Sequence, residues 1–272
     1  MTATIMTPDT TSRADHPTTR RGRHEQHIAP VPFHRLVRVE LRKTVDTRAG
    51  LWLLIIMSLI GAAAMGALMI WGSPQDQTFV SLLGISTLPL FIILPVLGVM
   101  AATAEWSQRT GLTTFTLEPR RGRVLTAKLL AAVLLGLIVV AATMAAAAAL
   151  TLLWGVLGND MVWNLAGISL VGVAAIMVLF VIQGSAMGFA FLNTPAAIIA
   201  AIVAPTIWTI MATSIPALID VAPWTDFTAA VGPIVAGSPT GDDWAHLAST
   251  SGIWVLLPLS IGIYRVMRSE VK

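Results

Sequence analysis

Charged residues concentrate between Glu105 and Lys128, and the chain on either side of this stretch is almost uncharged for dozens of residues. Glu105 and Arg109 stand four residues apart, a spacing that allows an ion pair on one face of a helix. Basic residues exceed acidic ones here by five to two. Such an excess is typical of a loop on the inner side of a membrane. The charged positions are Glu105, Arg109, Glu118, Arg120, Arg121, Arg123 and Lys128.

A nucleophile is conceivable at Ser185, in the sequence GSAMG, but no histidine or lysine of a predicted span is placed to activate it. Gly184 and Gly188 flank this serine with the spacing of a small-xxx-small face. The sequence therefore favours close helix packing at Gly184 and Gly188 over catalysis.

A second cluster of candidate ligands lies near the C-terminal third, where Asp220, Asp226, Asp242 and Asp243 are accompanied by His246. Carboxylates and imidazole bind divalent ions. The surrounding SPTGDDW is more typical of a solvated loop, so we expect no metal site. The absence of cysteine excludes disulfides, thiolate metal sites and a cysteine nucleophile.

The elements that position these residues are predicted to be membrane helices. Of the 272 residues, 56% are hydrophobic and 11% charged, whereas soluble domains carry about 25% charged residues. Six apolar stretches are long enough to cross about 30 Å of hydrocarbon as helices, and they lack the alternation of barrel strands. We predict an all-α membrane protein with spans at about 51–71, 79–104, 125–154, 163–192, 195–215 and 249–267.

The distribution of Lys and Arg predicts the orientation. All 17 lie within residues 13–48, 109–128 and 265–272, and none lies in the connections 72–78, 155–162 or 216–248. With six spans the three basic regions share one side, which the positive-inside rule assigns to the cytoplasm. We therefore expect a multi-pass protein of the cell membrane with both termini cytoplasmic. The bodies of the spans are expected to carry no charge, which disfavours an ion-coupled transporter.

Ahead of the first span, Phe33, Val37, Leu41 and Val45 repeat every four residues among basic ones. This pattern predicts an amphipathic helix at about 32–48 that lies on the inner membrane surface. Residues 1–30 are polar and lack the apolar region of a secretory signal, so we expect a disordered cytoplasmic tail followed by a six-helix domain at 31–272.

The last two predicted spans each contain a proline, and a short apolar run lies between them. Pro205 and Pro258 each remove a backbone hydrogen bond and permit a kink. Between these spans, FTAAVGPIVAG within 216–248 is too short to cross the membrane. The sequence leaves two alternatives open for 216–248, a re-entrant or surface-lying segment and a plain outer loop.

The charged stretch also contains Leu112, Phe115 and Leu117, which predict a short surface helix with an exposed apolar side suited to a soluble partner. The order of its residues is Glu105-Trp106, Arg109-Thr110-Gly111, Leu117, Pro119, Arg121-Gly122-Arg123 and Lys128. This pattern resembles the signature of ABC-2-type transporter permeases, the six-span membrane subunits of type II ABC exporters. The similarity extends more weakly from about residue 33 to 270 and departs at Glu118-Pro119-Arg120, where small residues are common.

The resemblance implies that residues 105–128 carry a coupling helix that docks on a cytoplasmic ATPase, in two copies, and that the helix at 32–48 is an elbow helix bracing the same ATPase. It implies a second permease subunit, with a homodimer favoured, and a re-entrant region at 216–248. The implied ATPase-coupling residues are Glu105, Arg109, Thr110, Gly111, Thr114, Phe115, Glu118, Pro119, Arg120 and Arg121.

The sequence contains no G-x-x-x-x-G-K-[ST], so we expect no enzyme activity and no cofactor in this chain, with ATP and Mg²⁺ bound by the partner. The uncharged spans suit export of an amphiphilic or apolar cargo such as a drug, lipid or peptide. Membrane lipid is an expected partner and nucleic acid is not. The alternative is a non-transporting interaction, immunity or sensor protein on the same scaffold; a membrane-embedded enzyme is disfavoured.

Overall fold

The computed structural model describes residues 31–160, 162–163, 165–166 and 168–268. The tail predicted at 1–30 lies outside the described residues. Within them the chain is helical, and six helices are long and apolar enough to cross a membrane, as the sequence predicts. These are α2 (Arg48–Trp71), α3 (Phe79–Ser107), α5 (Arg121–Val156), α6 (Leu170–Phe191), α7 (Thr194–Ser214) and α10 (Gly241–Arg268).

Four shorter α-helices and two single-turn 3₁₀ helices, Pro74–Asp76 and Pro216–Leu218, complete the described fold. Helix α1 (Phe33–Asp46) precedes the first long helix, and α4 (Gly111–Leu117) connects α3 to α5. The last two, α8 (Ala222–Thr225) and α9 (Phe227–Ala236), lie between α7 and α10.

The helices α3 and α6 form the centre of the bundle. In their most apolar windows 56% and 61% of residues are buried, against 22–28% in the other four long helices. Leu94 of α3 and Met177 of α6 belong to one fully buried apolar cluster. Small residues allow the two backbones to meet, because a Cβ atom added at Gly98 would come 2.2 Å from Val181 O.

Contacts between helix ends show that the long helices alternate in direction. At one end, Thr103 Oγ1 lies 2.7 Å from Thr194 Oγ1, joining the end of α3 to the start of α7. At the other end, Phe79 N donates to Val162 O at 3.0 Å, joining the start of α3 to the connection after α5. Every Lys and Arg of the described residues lies at the end of the bundle where α3 finishes and α7 begins. We call this the basic end.

The two largest differences from the predicted helix boundaries occur where polar residues cap the helices. The fourth long helix begins at Leu170 rather than near 163, where the Ser169 side chain accepts a hydrogen bond from Gly172 N. The sixth begins at Gly241 rather than near 249, because Thr240 and Asp243 form a capping box. Asp242 and Asp243, interpreted from the sequence as loop residues, therefore form the first turn of α10.

A π-helical turn precedes each proline that the sequence marked as a kink site. The turn at Ile199–Val203 lies just before Pro205 in α7, and the turn at Gly252–Leu256 lies just before Pro258 in α10. Pro205 has no N–H to donate to Ala201 O, its α-helical acceptor. Gln183 Nε2 of α6 donates to this carbonyl at 3.0 Å instead, so a buried amide supports the irregular turn.

The segment between α7 and α10 doubles back into the bundle. Trp208 of α7 and Trp254 of α10 donate their indole N–H groups to Thr225, which ends α8. Helix α9 then packs along α6: Phe227 contacts the Phe180 ring at a centroid distance of 5.1 Å, while Ile234 O lies against Gly172 near the start of α6. Of the two alternatives left open for 216–248, this packing favours a re-entrant or surface-lying segment over a plain outer loop.

Candidate functional site

Four charged side chains from three helices meet at the basic end. Lys128 Nζ of α5 lies 2.7 Å from Glu40 Oε2 of α1 and 2.6 Å from Glu105 Oε2 of α3. Lys43 Nζ of α1 lies 2.8 Å from Glu40 Oε1 and 3.2 Å from Glu105 Oε1. Each lysine therefore bridges both glutamates, and we call these four residues the charge cluster.

Burial makes the pairing necessary. Only 2% of the Lys128 side chain and 1% of the Glu105 side chain are exposed. Removing an ionic group from water is costly unless opposite charges and hydrogen bonds replace the water. Two lysines and two glutamates leave the cluster neutral. Glu105 Oε2 accepts no hydrogen bond of good geometry among the described residues, so its contact with Lys128 is primarily ionic.

The buried, paired environment shifts the pKa values of Glu40 and Lys43, the two cluster residues of α1. Burial alone would raise the pKa of the Glu40 carboxyl, but the charge and hydrogen bond of Lys128, aided by Lys43, hold that pKa below its usual value. For Lys43 burial acts to lower the pKa, and the hydrogen bond and charge of Glu40, with those of Glu105, raise it above its usual value. Both side chains are thereby held in their charged forms near neutral pH.

The cluster corrects two expectations from the sequence. Glu105 and Arg109 form no ion pair in the described part of the chain, because Glu105 faces Lys128 and Lys43 inside the bundle. Lys128 is buried within α5, so the spans are not wholly free of charge. Glu40 and Lys43 were not predicted as site residues. The only signal in the sequence was a single acid among the bases of ELRK.

Arg109 is exposed and lies two residues beyond the end of α3, the helix that positions Glu105. Its φ is +55°, in the left-handed region that few residues other than glycine adopt. The chain then turns back, and Thr110 N donates to Glu105 O at 3.0 Å. Helix α4 begins at the next residue, the buried Gly111. The backbone that carries α4 is thus hydrogen-bonded directly to a member of the charge cluster.

Helix α4 presents two different faces. Phe115 turns towards the bundle, where it packs near Leu125 and lies 5.1 Å from the Arg121 guanidinium. Leu112 and Leu117 point outwards, with 60% and 76% of their surface exposed. Thr114, which is half-buried, lies between these faces. The prediction placed all three apolar side chains on one exposed side, whereas Phe115 anchors α4.

The residues after α4 connect it to other parts of the basic end. Glu118 is buried and pairs with Arg123 at 3.0 Å. Arg123 also donates to Val31 O at 2.6 Å, and Arg121 donates to Val266 O at 2.7 Å. Of the ten residues implied as ATPase-coupling positions, Glu105, Gly111 and Glu118 are buried and Thr114, Phe115 and Arg121 are half-buried. The exposed ones are Arg109, Thr110, Pro119 and Arg120.

Gly184 and Gly188 lie where α6 crosses α3. A Cβ atom at Gly184 would come 2.0 Å from Pro95 O, and one at Gly188 would come 2.6 Å from Ala102 Cβ. The intervening Ser185 is buried and donates to Val181 O at 2.9 Å within its own helix.

A buried carboxylate also lies away from the basic end, next to Phe227, which packs on Phe180 near the middle of α6. Asp226 caps α9, and its Oδ1 accepts hydrogen bonds from Thr209 Oγ1, Thr228 N and Ala229 N at 2.9 to 3.1 Å. It is 2% exposed and forms no ion pair among the described residues. Asp242 and Asp243 are on α10, and His246 packs edge-on against Trp224. The described chain contains no group of three or more His, Asp or Glu side chains that could hold a metal ion.

No protein-family model matches this chain, and no curated protein matches it either.

Proposed function

We propose that this chain is the membrane-spanning subunit of an ATP-driven exporter, and that α4 is the coupling helix on which a cytoplasmic ATPase docks. The observation that carries the proposal is the charge cluster, to which the residue before α4 is hydrogen-bonded through Glu105. Three of its four ion pairs join α1, the end of α3 and the start of α5, and the fourth lies within α1. A force on α4 therefore reaches two long helices together.

The exposed surface of α4 has the composition of a docking site. Leu112 and Leu117 offer apolar area, while Arg109 and Arg120 supply charge at the margin. Apolar anchors surrounded by polar groups are the usual anatomy of a protein interface. Phe115 and Arg121 hold α4 against the bundle, so docking does not displace the helix from its support.

Movement of the long helices is expected at their irregular turns. The π-helical turns before Pro205 and Pro258 lack the regular ladder of an α-helix and often mark functional sites. Closure of two ATPases would push two α4 helices in a dimer of this chain. The helices α3 and α5 would tilt with α4, while α7 and α10 would adjust at their π-helical turns.

The partner chain supplies the nucleotide chemistry, because this sequence has no phosphate-binding loop for ATP and Mg²⁺. The positive-inside rule favours the cytoplasmic side of a cell membrane for the basic end. Both termini of the chain are then cytoplasmic. Helix α1 then lies at the inner membrane surface as an elbow helix, tied to the cluster through Glu40 and Lys43.

A half-open apolar groove suits an apolar or amphiphilic cargo. The groove has a volume of about 530 Å³ and lies between α3, α6 and α9. It has a volume typical of small-molecule sites. Thr228 contributes the one side-chain hydroxyl that lines this space, and no charged side chain lines it. Its remaining lining residues are Leu88, Phe91, Ile92, Phe180, Val231, Gly232 and Val235.

The proposal is tested by purifying the tagged chain from its native membranes in mild detergent. We expect a protein that hydrolyses ATP to co-purify with the wild-type chain. The double variant Leu112→Glu/Leu117→Glu should lose that protein, because two carboxylates replace the apolar anchors of α4.

Met267→Glu is the matched control, since Met267 is exposed at the same end but lies on α10. It should retain the ATPase. A double variant that retains the ATPase and its activity would exclude α4 as the docking site. A wild-type chain purified without any ATP-hydrolysing protein would contradict the exporter assignment.

A further inference from the structure

An open groove runs along the outside of the bundle between α6 and α10. Its volume is about 310 Å³. The two helices touch beside the groove at Gly262, where an added Cβ atom would come 2.5 Å from Phe189 Cβ. Apolar side chains form the walls, among them Met187, Ala190, Phe191, Trp254, Pro258 and Ile261.

Arg265 is the one charged residue of the groove and lies at its basic end. The guanidinium donates through Nη1 to Ala190 O, near the end of α6. An arginine has five N–H donors, so this bond leaves several for an anion. In the described part of the chain Arg265 has no carboxylate partner.

The length of the groove corresponds to one leaflet of a bilayer. Eleven residues separate Trp254 from Arg265 along α10, which is about 16 Å at the rise of a helix. Half of the hydrocarbon core is about 15 Å. The groove thus reaches from the headgroup level at the basic end to about the middle of the membrane.

We propose that this groove binds an anionic phospholipid of the leaflet at the basic end, with one acyl chain along α10 and the phosphate on Arg265. Basic positions between membrane helices on the cytoplasmic side are suited to such headgroups. The apolar walls match the chain and the guanidinium matches the phosphate. This site does not depend on the proposed ATPase partner.

Charge disfavours a second copy of the chain as the occupant. Two copies in one membrane share their orientation, so the partner would bring its own basic end to Arg265. The buried acids of that end, Glu40, Glu105 and Glu118, are already paired within each chain. An anionic lipid neutralises Arg265, whereas a second basic end repels it.

Native mass spectrometry tests this inference on the full chain exchanged into equal amounts of phosphatidylglycerol and phosphatidylcholine. We expect one phosphatidylglycerol per chain to be retained in preference. Arg265→Gln should reduce that preference about fivefold, the effect of one cation near an anionic headgroup. Arg265→Lys should largely keep it. Arg268→Gln is the matched control, because Arg268 lies on the Tyr264 ring and outside the groove.

A second pair of variants tests the acyl-chain wall without changing charge. Ile261 and Ile263 are 46% and 45% exposed on the same helix, and only Ile261 lines the groove. Ile261→Trp should lower retention of both lipids and Ile263→Trp should not. Equal retention of the two lipids by the wild-type chain would overturn the proposal, and so would Arg265→Gln or Ile261→Trp behaving like its control.

Discussion

At the basic end, buried Lys128 is neutralised by two carboxylates, whereas buried Asp226, which lies away from that end and close to the middle of α6, is held by hydroxyl and backbone N–H donors. The first arrangement joins three helices that are far apart in sequence. The second caps a single short helix and ties it to α7. Opposite charges thus connect the long helices where we propose that force enters, and hydrogen bonds to uncharged donors fix a local turn deeper in the bundle.

The largest effect is expected from Lys128→Met. This change leaves Glu40 and Glu105 buried with only Lys43 between them, and an uncompensated buried charge costs about 3–5 kcal/mol. The free energy of unfolding in detergent measures the loss. The double variant Lys128→Met/Glu105→Gln should recover part of it because charge balance returns. Arg120→Met, at an exposed position after α4, should stay close to wild type.

If Lys128→Met were as stable as Arg120→Met, the charge cluster would not be what holds α1, α3 and α5 together. If the double variant were less stable than Lys128→Met alone, the contact of Glu105 would matter for something other than charge balance.

A smaller effect is expected at Asp226. Alanine at this position removes the cap of α9 and the acceptor for Thr209, and losing such a cap costs about 1–2 kcal/mol. Asp226→Asn keeps an oxygen acceptor and should cost much less. The same unfolding measurement compares them. If both changes lowered the free energy of unfolding equally, the charge of Asp226 would be required. The contrast between the charge cluster and the uncharged donors around Asp226 would then fail.

The smallest effect is a dependence of stability on pH. The pKa of Glu40 is lower folded than unfolded, so its contribution is complete above the usual value of 4.5 and is lost as pH falls through the folded pKa. The pKa of Lys43 is raised, so its contribution is complete below the usual 10.5 and is lost as pH rises through the folded pKa. The contributions of Glu40 and Lys43 should therefore both be complete from about pH 4.5 to 10.5.

Melting temperatures measured across this pH range and below it test the assignment. Glu40→Gln should weaken the acid-side decrease of the melting temperature. Asp46→Asn is the control, because Asp46 pairs with Arg42 on the exposed side of the same helix. An acid-side decrease that is unchanged in Glu40→Gln but reduced in Asp46→Asn would assign it to the surface pair.

Hydropathy predicted the six long helices because length and apolar content are properties of each segment alone. The partners of Glu105 could not be predicted in the same way. Local spacing favoured Arg109, but Lys43 and Lys128 reach Glu105 from other helices. Their pairing depends on how α1 and α5 pack against α3, which no local pattern contains.

The segment 216–248 shows the same limit. Its short apolar run was compatible with a loop or a re-entrant piece. The choice depends on Gly172, which lets α9 lie against α6, and on the indoles of Trp208 and Trp254 that bind Thr225. The sequence contains each of these residues, but their meeting is a result of the tertiary packing.

The orientation of the two ends is tested most directly by thiol labelling, since the chain has no cysteine of its own. Thr113→Cys places one thiol on exposed α4, and Asp220→Cys places one on the exposed connection at the opposite end. A membrane-impermeant maleimide applied to intact cells should label position 220 and leave position 113 unlabelled until the cells are permeabilised. Labelling of position 113 in intact cells, with position 220 protected, would place α4 outside the cytoplasm and contradict the account.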